Sequence, residues 1–324
     1  MASNRPGHCP KQPASRWLCL GARWIVPAVA VCWMAFGAPV RAQDAAVDPA
    51  VAAAYNEGLT AASAGDFATA KTKFQEAVAQ APDFVDAHYN LGLVLQNLGD
   101  FAGARAEFER TLELDPSNVA APRLLADTLV KLGDFAAALP AYEKAIAADS
   151  TRFELYYAAA DAAAQVYTKP EELGKLVEAY RAALRKDPSN PLAFQAAIGL
   201  ASAGSKMKDN EIALEGYQRA VKAKPDSPTA HYNYAVILQK MKRSKEAVEQ
   251  LESAIALKEP YGQAHYVLAG IYYNDLNQTE KALAHYEKAA ADPEFDKADK
   301  AKQSADMIRD YLEKKAAADA TKKG

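Results

Sequence analysis

Four histidines, His88, His231, His265 and His285, and no cysteine follow residue 42, so any imidazole or metal chemistry in the body of the chain would rest on those rings. His265 and His285 would lie on different helices of one hairpin, the arrangement a two-imidazole metal site needs, but two ligands fall short of a closed site. His88 and His231 stand where their surroundings ask for a ring packed between helices. The sequence holds no G-x-G-x-x-G, phosphate-binding loop, H-E-x-x-H, G-x-S-x-G or paired cysteines beyond residue 42. The acidic residues fall mainly at exposed helical positions, where they serve solubility and local pairing with Lys and Arg. The expectation is a protein that is not an enzyme and has neither cofactor nor metal.

The elements that would position these groups are read from residues 85–118. His88, Leu91 and Leu95 share one stripe of a first helix, and Ala104, Phe108 and Thr111 one stripe of a second. Gly92 and Ala104 are small enough for the two helices to approach closely. Gly99-Asp100 supplies the turn, glycine by its tolerance of positive φ and aspartate as a cap. Pro116 ends the second helix. A hairpin of this kind keeps one apolar face that only a neighbouring copy can cover.

Copies are present. Gly58, Gly65-Asp66-Phe67, Ala70, Phe74 and Pro82 repeat the special positions in the stretch before, 51–84. Leu125, Leu129, Gly133-Asp134-Phe135, Ala138 and Tyr142 repeat them in the stretch after, 119–152, with departures at Pro122 and Ser150. These spacings resemble the tetratricopeptide repeat, in which Leu-Gly, Ala, aromatic and Pro recur at fixed offsets within each unit. The resemblance implies an all-α, right-handed superhelical solenoid of about seven helix-turn-helix hairpins, at 51–84, 85–118, 119–152, 153–190, 191–227, 228–262 and 263–295. The fourth departs by an extended turn at 167–172, with Pro170 opening its second helix, and the fifth by a long turn at 204–210. An amphipathic capping helix is expected at 296–313, followed by a disordered basic tail at 314–324.

Residues 1–42 read differently. They hold Arg5, Lys11, Arg16, Arg23 and Arg41 without an acidic residue, together with all three cysteines and all three tryptophans. An apolar run from Ile25 to Val40 precedes Val40-Arg41-Ala42, the pattern of a secretory signal cleaved after Ala42, with a linker at 43–50. An uncleaved membrane anchor is the alternative. Neither Cys19 nor Cys32 has the small preceding residue a lipidated cysteine needs. With a formal net charge of −3 for the whole chain and five basic but no acidic residues in the leader, the remainder is acidic overall and unsuited to nucleic acid. A periplasmic or secreted location is expected, with membrane contact only if the leader is retained.

The resemblance also places the partner, another protein or peptide, in a concave groove walled by the first helices. Tyr55, Tyr89, Arg123, Tyr157 and Tyr232 would point into it, with Asp127 and Asp161 one turn further on. At this second position, and at Leu59, Leu93 and Val236, the family's chaperone-binding members carry asparagines that hold a terminal carboxylate, and none is present here. A basic or neutral segment suits the acidic middle better. A structural subunit of an envelope assembly for secretion, pilus or polysaccharide export is the alternative reading, and an enzyme with an unrecognised site is the second alternative. Asn277-Gln278-Thr279 matches a glycosylation acceptor in a turn.

Overall fold

The computed structural model describes residues 48–323, so the expected leader lies outside the described residues. Within them are fifteen α-helices and no strand. Seven hairpins follow in chain order: α1 (Pro49–Ser63) with α2 (Phe67–Gln80), α3 (Val85–Asn97) with α4 (Phe101–Leu114), α5 (Ala121–Lys131) with α6 (Phe135–Ala148), and α7 (Phe153–Val166) with α8 (Leu173–Lys186). Then come α9 (Ala193–Met207) with α10 (Asn210–Ala223), α11 (Pro228–Lys240) with α12 (Ser244–Leu257), and α13 (Gly262–Asn274) with α14 (Thr279–Ala291). Helix α15 (Ala298–Lys323) closes the array against α14. Each helix packs on the next in the chain, and α1 also touches α3, α7 touches α9 and α11 touches α13, which is the neighbour-only contact pattern of an α-solenoid.

The first three turns are built alike. Gly65, Gly99 and Gly133 take φ near +80°, a conformation glycine adopts without a Cβ penalty. The carboxylates of Asp66, Asp100 and Asp134 then accept from the N–H groups of Thr69, Gly103 and Ala137 at 2.9–3.1 Å, satisfying a free donor of the second helix. The second helices of hairpins two, three and four also stop alike. Asp115, Asp149 and Asp187 each accept from the backbone N–H and the hydroxyl of Ser117, Thr151 or Ser189. Hairpin three therefore stops without the proline that Ser150 replaces.

Packing inside a hairpin rests on a ring set into a gap. A Cβ added at Gly92 would stand 2.7 Å from Cε1 of Phe108, and one at Gly58 equally close to Phe74. Both phenylalanines are fully buried. In hairpin four the gap moves to the next hairpin: Tyr180 of α8 lies against Gly199 of α9, where a Cβ would fall 2.3 Å from the ring. Arg181 on α8 joins Glu215 on α10 at 2.6 Å, a second tie across the same junction.

Four boundaries differ from the sequence expectation. Helix α1 begins at Pro49, inside the expected linker, because Asp48 caps it by accepting from the N–H of Ala50. Pro170 sits in the 167–172 turn and α8 begins only at Leu173. The stretch 204–210 is mostly helix: α9 runs to Met207, and the turn is Lys208-Asp209, with Lys208 at φ 58° and Asp209 capping α10. Gly204 is not a turn glycine but the point where α9 meets α10, its virtual Cβ 2.5 Å from the backbone nitrogen of Ala213. Helix α15 continues past the expected end at 313 to Lys323, because the added residues are chiefly Ala and Lys, which favour helix.

Candidate functional site

The expected groove residues fall on the first helices, but they do not form one uniform wall. Tyr55 on α1 is fully buried, with Phe84 at 4.9 Å and Phe74 at 5.7 Å between ring centroids, and its hydroxyl accepts from the amide of the buried Asn90 at 2.8 Å. It joins hairpins one and two and is not available to a ligand. Its burial, with Asp86 nearby, raises the phenol well above its ordinary range. Tyr89, Tyr157 and Tyr232 are each half-buried. Tyr89 stands edge-on to Phe108 at 6.3 Å, Tyr157 stacks on Phe153 at 6.2 Å, and Tyr232 meets Tyr261 at 5.7 Å. One side of each ring thus packs on the scaffold while the residue stays partly open.

The polar centre lies on hairpins three and four. Asp127 on α5 accepts from Arg123, one turn earlier, at 3.1 Å and from the Tyr142 hydroxyl on α6 at 2.8 Å. Burial nevertheless pushes its carboxyl up, against the opposing pull of the Tyr142 hydrogen bond and the Arg123 charge. Asp161 on α7 is exposed and has no hydrogen-bond or ion-pair partner among the described residues, yet the surrounding protein is dense enough to push its carboxyl up as well. Burial of Tyr180, next to the Asp161 charge, raises that phenol too. Tyr142 and Tyr180 were visible in the sequence only as ring positions of the repeat. Their nearness to the two carboxylates comes from the hairpin closing.

A second surface lies beside the 167–172 turn. A groove of 630 Å³ lies between α6, α7 and α8, walled by Leu139, Ile146, Ala159 and Ala163, with Tyr156 and Tyr167 also on its lining.

The histidines divide as their positions suggest. His88 is buried with Nε2 donating to the Pro82 carbonyl at 2.9 Å and Nδ1 at 2.6 Å from Glu107. Burial pulls its pKa down, but the Glu107 and Pro82 hydrogen bonds outweigh it and the net shift is upward. His231 repeats the motif with Pro225 and Gln250. His265 and His285 face each other with Nδ1 atoms 2.9 Å apart, and Tyr272 stacks on His285. Burial lowers both, His285 to about 4 with the help of the His265, Lys288 and Lys281 charges. No group of three or more His, Cys, Asp or Glu side chains placed to hold a metal occurs among the described residues. Asn277 of the acceptor sequence is exposed in the α13–α14 turn, at φ 54°. No described helix is long and apolar enough to cross a membrane.

Two family models match parts of this chain. A tetratricopeptide repeat model matches residues 55–119 and 123–165, and a model of anaphase-promoting complex subunit 3 matches residues 206–289. The C-terminal part of a TPR repeat-containing protein from Cytophaga hutchinsonii superposes with a TM-score of 0.56 at 18% identity, over 76% of this chain and 98% of that one. A tetratricopeptide repeat protein from Parabacteroides merdae is similar at 14% identity and TM-score 0.46, covering 81% of this chain and 100% of its own. A peroxisomal targeting signal receptor from Kluyveromyces lactis is 34% identical over 89 residues, which is 28% of this chain and 15% of the receptor.

Proposed function

We propose that this chain, an all-α solenoid of tetratricopeptide-type hairpins, is an exported scaffold that binds an extended segment of another protein along the wall of its first helices and performs no chemistry on it. The observation that carries this reading is the row of half-buried Tyr89, Tyr157 and Tyr232 at one register of the hairpins, each packed on one side and partly open. Tyrosine in that state offers large contact area, little entropy to lose and a hydrogen-bonding tip. Tetratricopeptide repeats are suited to holding other proteins, and the partial likeness to a receptor named for a targeting signal supports the same kind of task. The leader at 1–42 carries the export part of the proposal.

Cross-linking of the full chain in the native envelope fraction, read by mass spectrometry, tests both parts. Partner cross-links should map to first-helix residues and disappear in the Tyr89→Ala, Tyr157→Ala double variant while helicity is unchanged, and the N-terminus should be Gln43. Cross-links confined to second helices, or capture undiminished by the double variant, would overturn the binding reading. An N-terminus at Met1 or Ala2 would overturn cleavage.

A further inference from the structure

We infer that Asp161, flanked by Tyr157 and Tyr180, is the seat for a guanidinium or ammonium group carried by the bound segment, an inference that rests on the first-helix wall being the binding surface. Two neighbouring hairpins treat the same acidic position differently. Asp127 and Asp161 occupy the same position in successive repeats, and Tyr142 and Tyr180 are equivalent once the longer 167–172 turn is counted. In hairpin three the carboxylate is already satisfied from within the chain, by the Arg123 guanidinium at 3.1 Å and the Tyr142 hydroxyl at 2.8 Å.

Hairpin four keeps the acid and removes both donors. Tyr157 stands where Arg123 stood, its ring held against Phe153 in a nearly parallel stack with an interplanar angle of 11°. Tyr180 is set into the Gly199 gap of α9 and gives Asp161 no hydrogen bond. Asp161 is exposed and without a partner among the described residues. Packing does not demand an acid at this position, since other hairpins hold Leu59, Leu93 and Val236 there.

A partner cation supplies what is missing. A planar guanidinium can donate two hydrogen bonds to a carboxylate and lie against an aromatic face, and an ammonium can do part of both. Arg123 on Asp127 makes one such hydrogen bond internally, at 3.1 Å, so the preceding hairpin shows a guanidinium seated at the equivalent carboxylate. The surrounding protein pushes the Asp161 carboxyl up, and a cation seated beside it would favour the ionised form again.

The test uses the full chain on an array of random dodecapeptides, with retained sequences scored for Arg and Lys. Wild type should enrich both over Asp and Glu. Asp161→Asn should lower that enrichment about tenfold, the size expected when one charge-assisted hydrogen bond is lost. Tyr157→Arg should do the same by filling the seat from within, as Arg123 fills Asp127. Asp310→Asn, on α15, should change nothing. Basic enrichment that survives both Asp161→Asn and Tyr157→Arg in folded protein overturns the cation seat. Retention that lacks basic preference yet is lost in Tyr89→Ala overturns the seat and leaves the wall reading standing. Retention indifferent to Tyr89→Ala overturns both.

Discussion

Acidification should loosen the last hairpin while firming the second, because the two buried histidine sites are shifted in opposite directions. His285 and His265 are held neutral by burial, with Nδ1 atoms 2.9 Å apart and Lys281 and Lys288 on α14 adding positive charge. Glu259 and Asp292 oppose this for His265, without reversing it. With a folded value of about 4 for His285 against an ordinary 6.5, the folded state binds fewer protons than the unfolded one. The stability is therefore complete above pH 6.5 and is lost as pH falls toward 4. At pH 4.5 the loss from His285 comes to about 2 kcal/mol after allowing for its partial exposure, or about a 30-fold fall in protection. His88 has the opposite sign: its folded pKa is raised, so its contribution is present below pH 6.5 and is lost as pH rises. Hydrogen exchange read by mass spectrometry, corrected for the intrinsic pH dependence of exchange, resolves the two segments in one sample. Between pH 7.5 and 4.5, peptides from 262–291 should lose protection relative to peptides from 85–114. His285→Gln should abolish most of that difference. Equal responses in the two segments, or a full response surviving His285→Gln, would refute the reasoning.

Three further outcomes follow from packing and caps. Gly216→Ala should cost about 2 kcal/mol by denaturant titration, because its Cβ would meet the α9 backbone at Ala201 2.3 Å away, whereas Gly174→Ala, with nothing within 4 Å, should stabilise by about 0.5–1 kcal/mol; equal effects would contradict both assignments. Lys208→Gly should stabilise by about 0.5 kcal/mol, since relief of the left-handed strain at φ 58° exceeds the extra chain entropy glycine brings, and a lowered melting temperature would count against that balance. Asp100→Ala should cost about 1 kcal/mol through the lost 2.9 Å cap on Gly103, with Asn restoring most of it; an unchanged thermal midpoint would show the cap to be idle.

The hairpins were legible because their signals are local and repeat: Gly-Asp-Phe marks each of the first three turns, and helical periodicity does the rest. Gly204 misled because a glycine reads alike whether it frees a turn or lets two backbones meet, and only the position of α10 distinguishes the two. Pro170 was compatible with either a helix start or the turn that precedes one. Tyr55 sits at the register that leaves Tyr89 and Tyr157 partly open, yet Phe84, from the entry to the next hairpin, covers it. The Arg123–Asp127 pair was readable from its spacing of four, but the Tyr142 hydroxyl reaches Asp127 only through tertiary closure.

The ring at the fourth junction has a mechanical consequence. Phe74 and Phe108 fill gaps within their own hairpins and stay in place if neighbours slide apart, whereas Tyr180 fills a gap belonging to the next hairpin. Pulling the array lengthwise must draw that ring out of Gly199 and break the Arg181–Glu215 link before hairpins four and five separate. Tension applied by a cargo held at both ends would therefore be carried across the middle of the array as through a riveted joint, with that stretch moving as one piece.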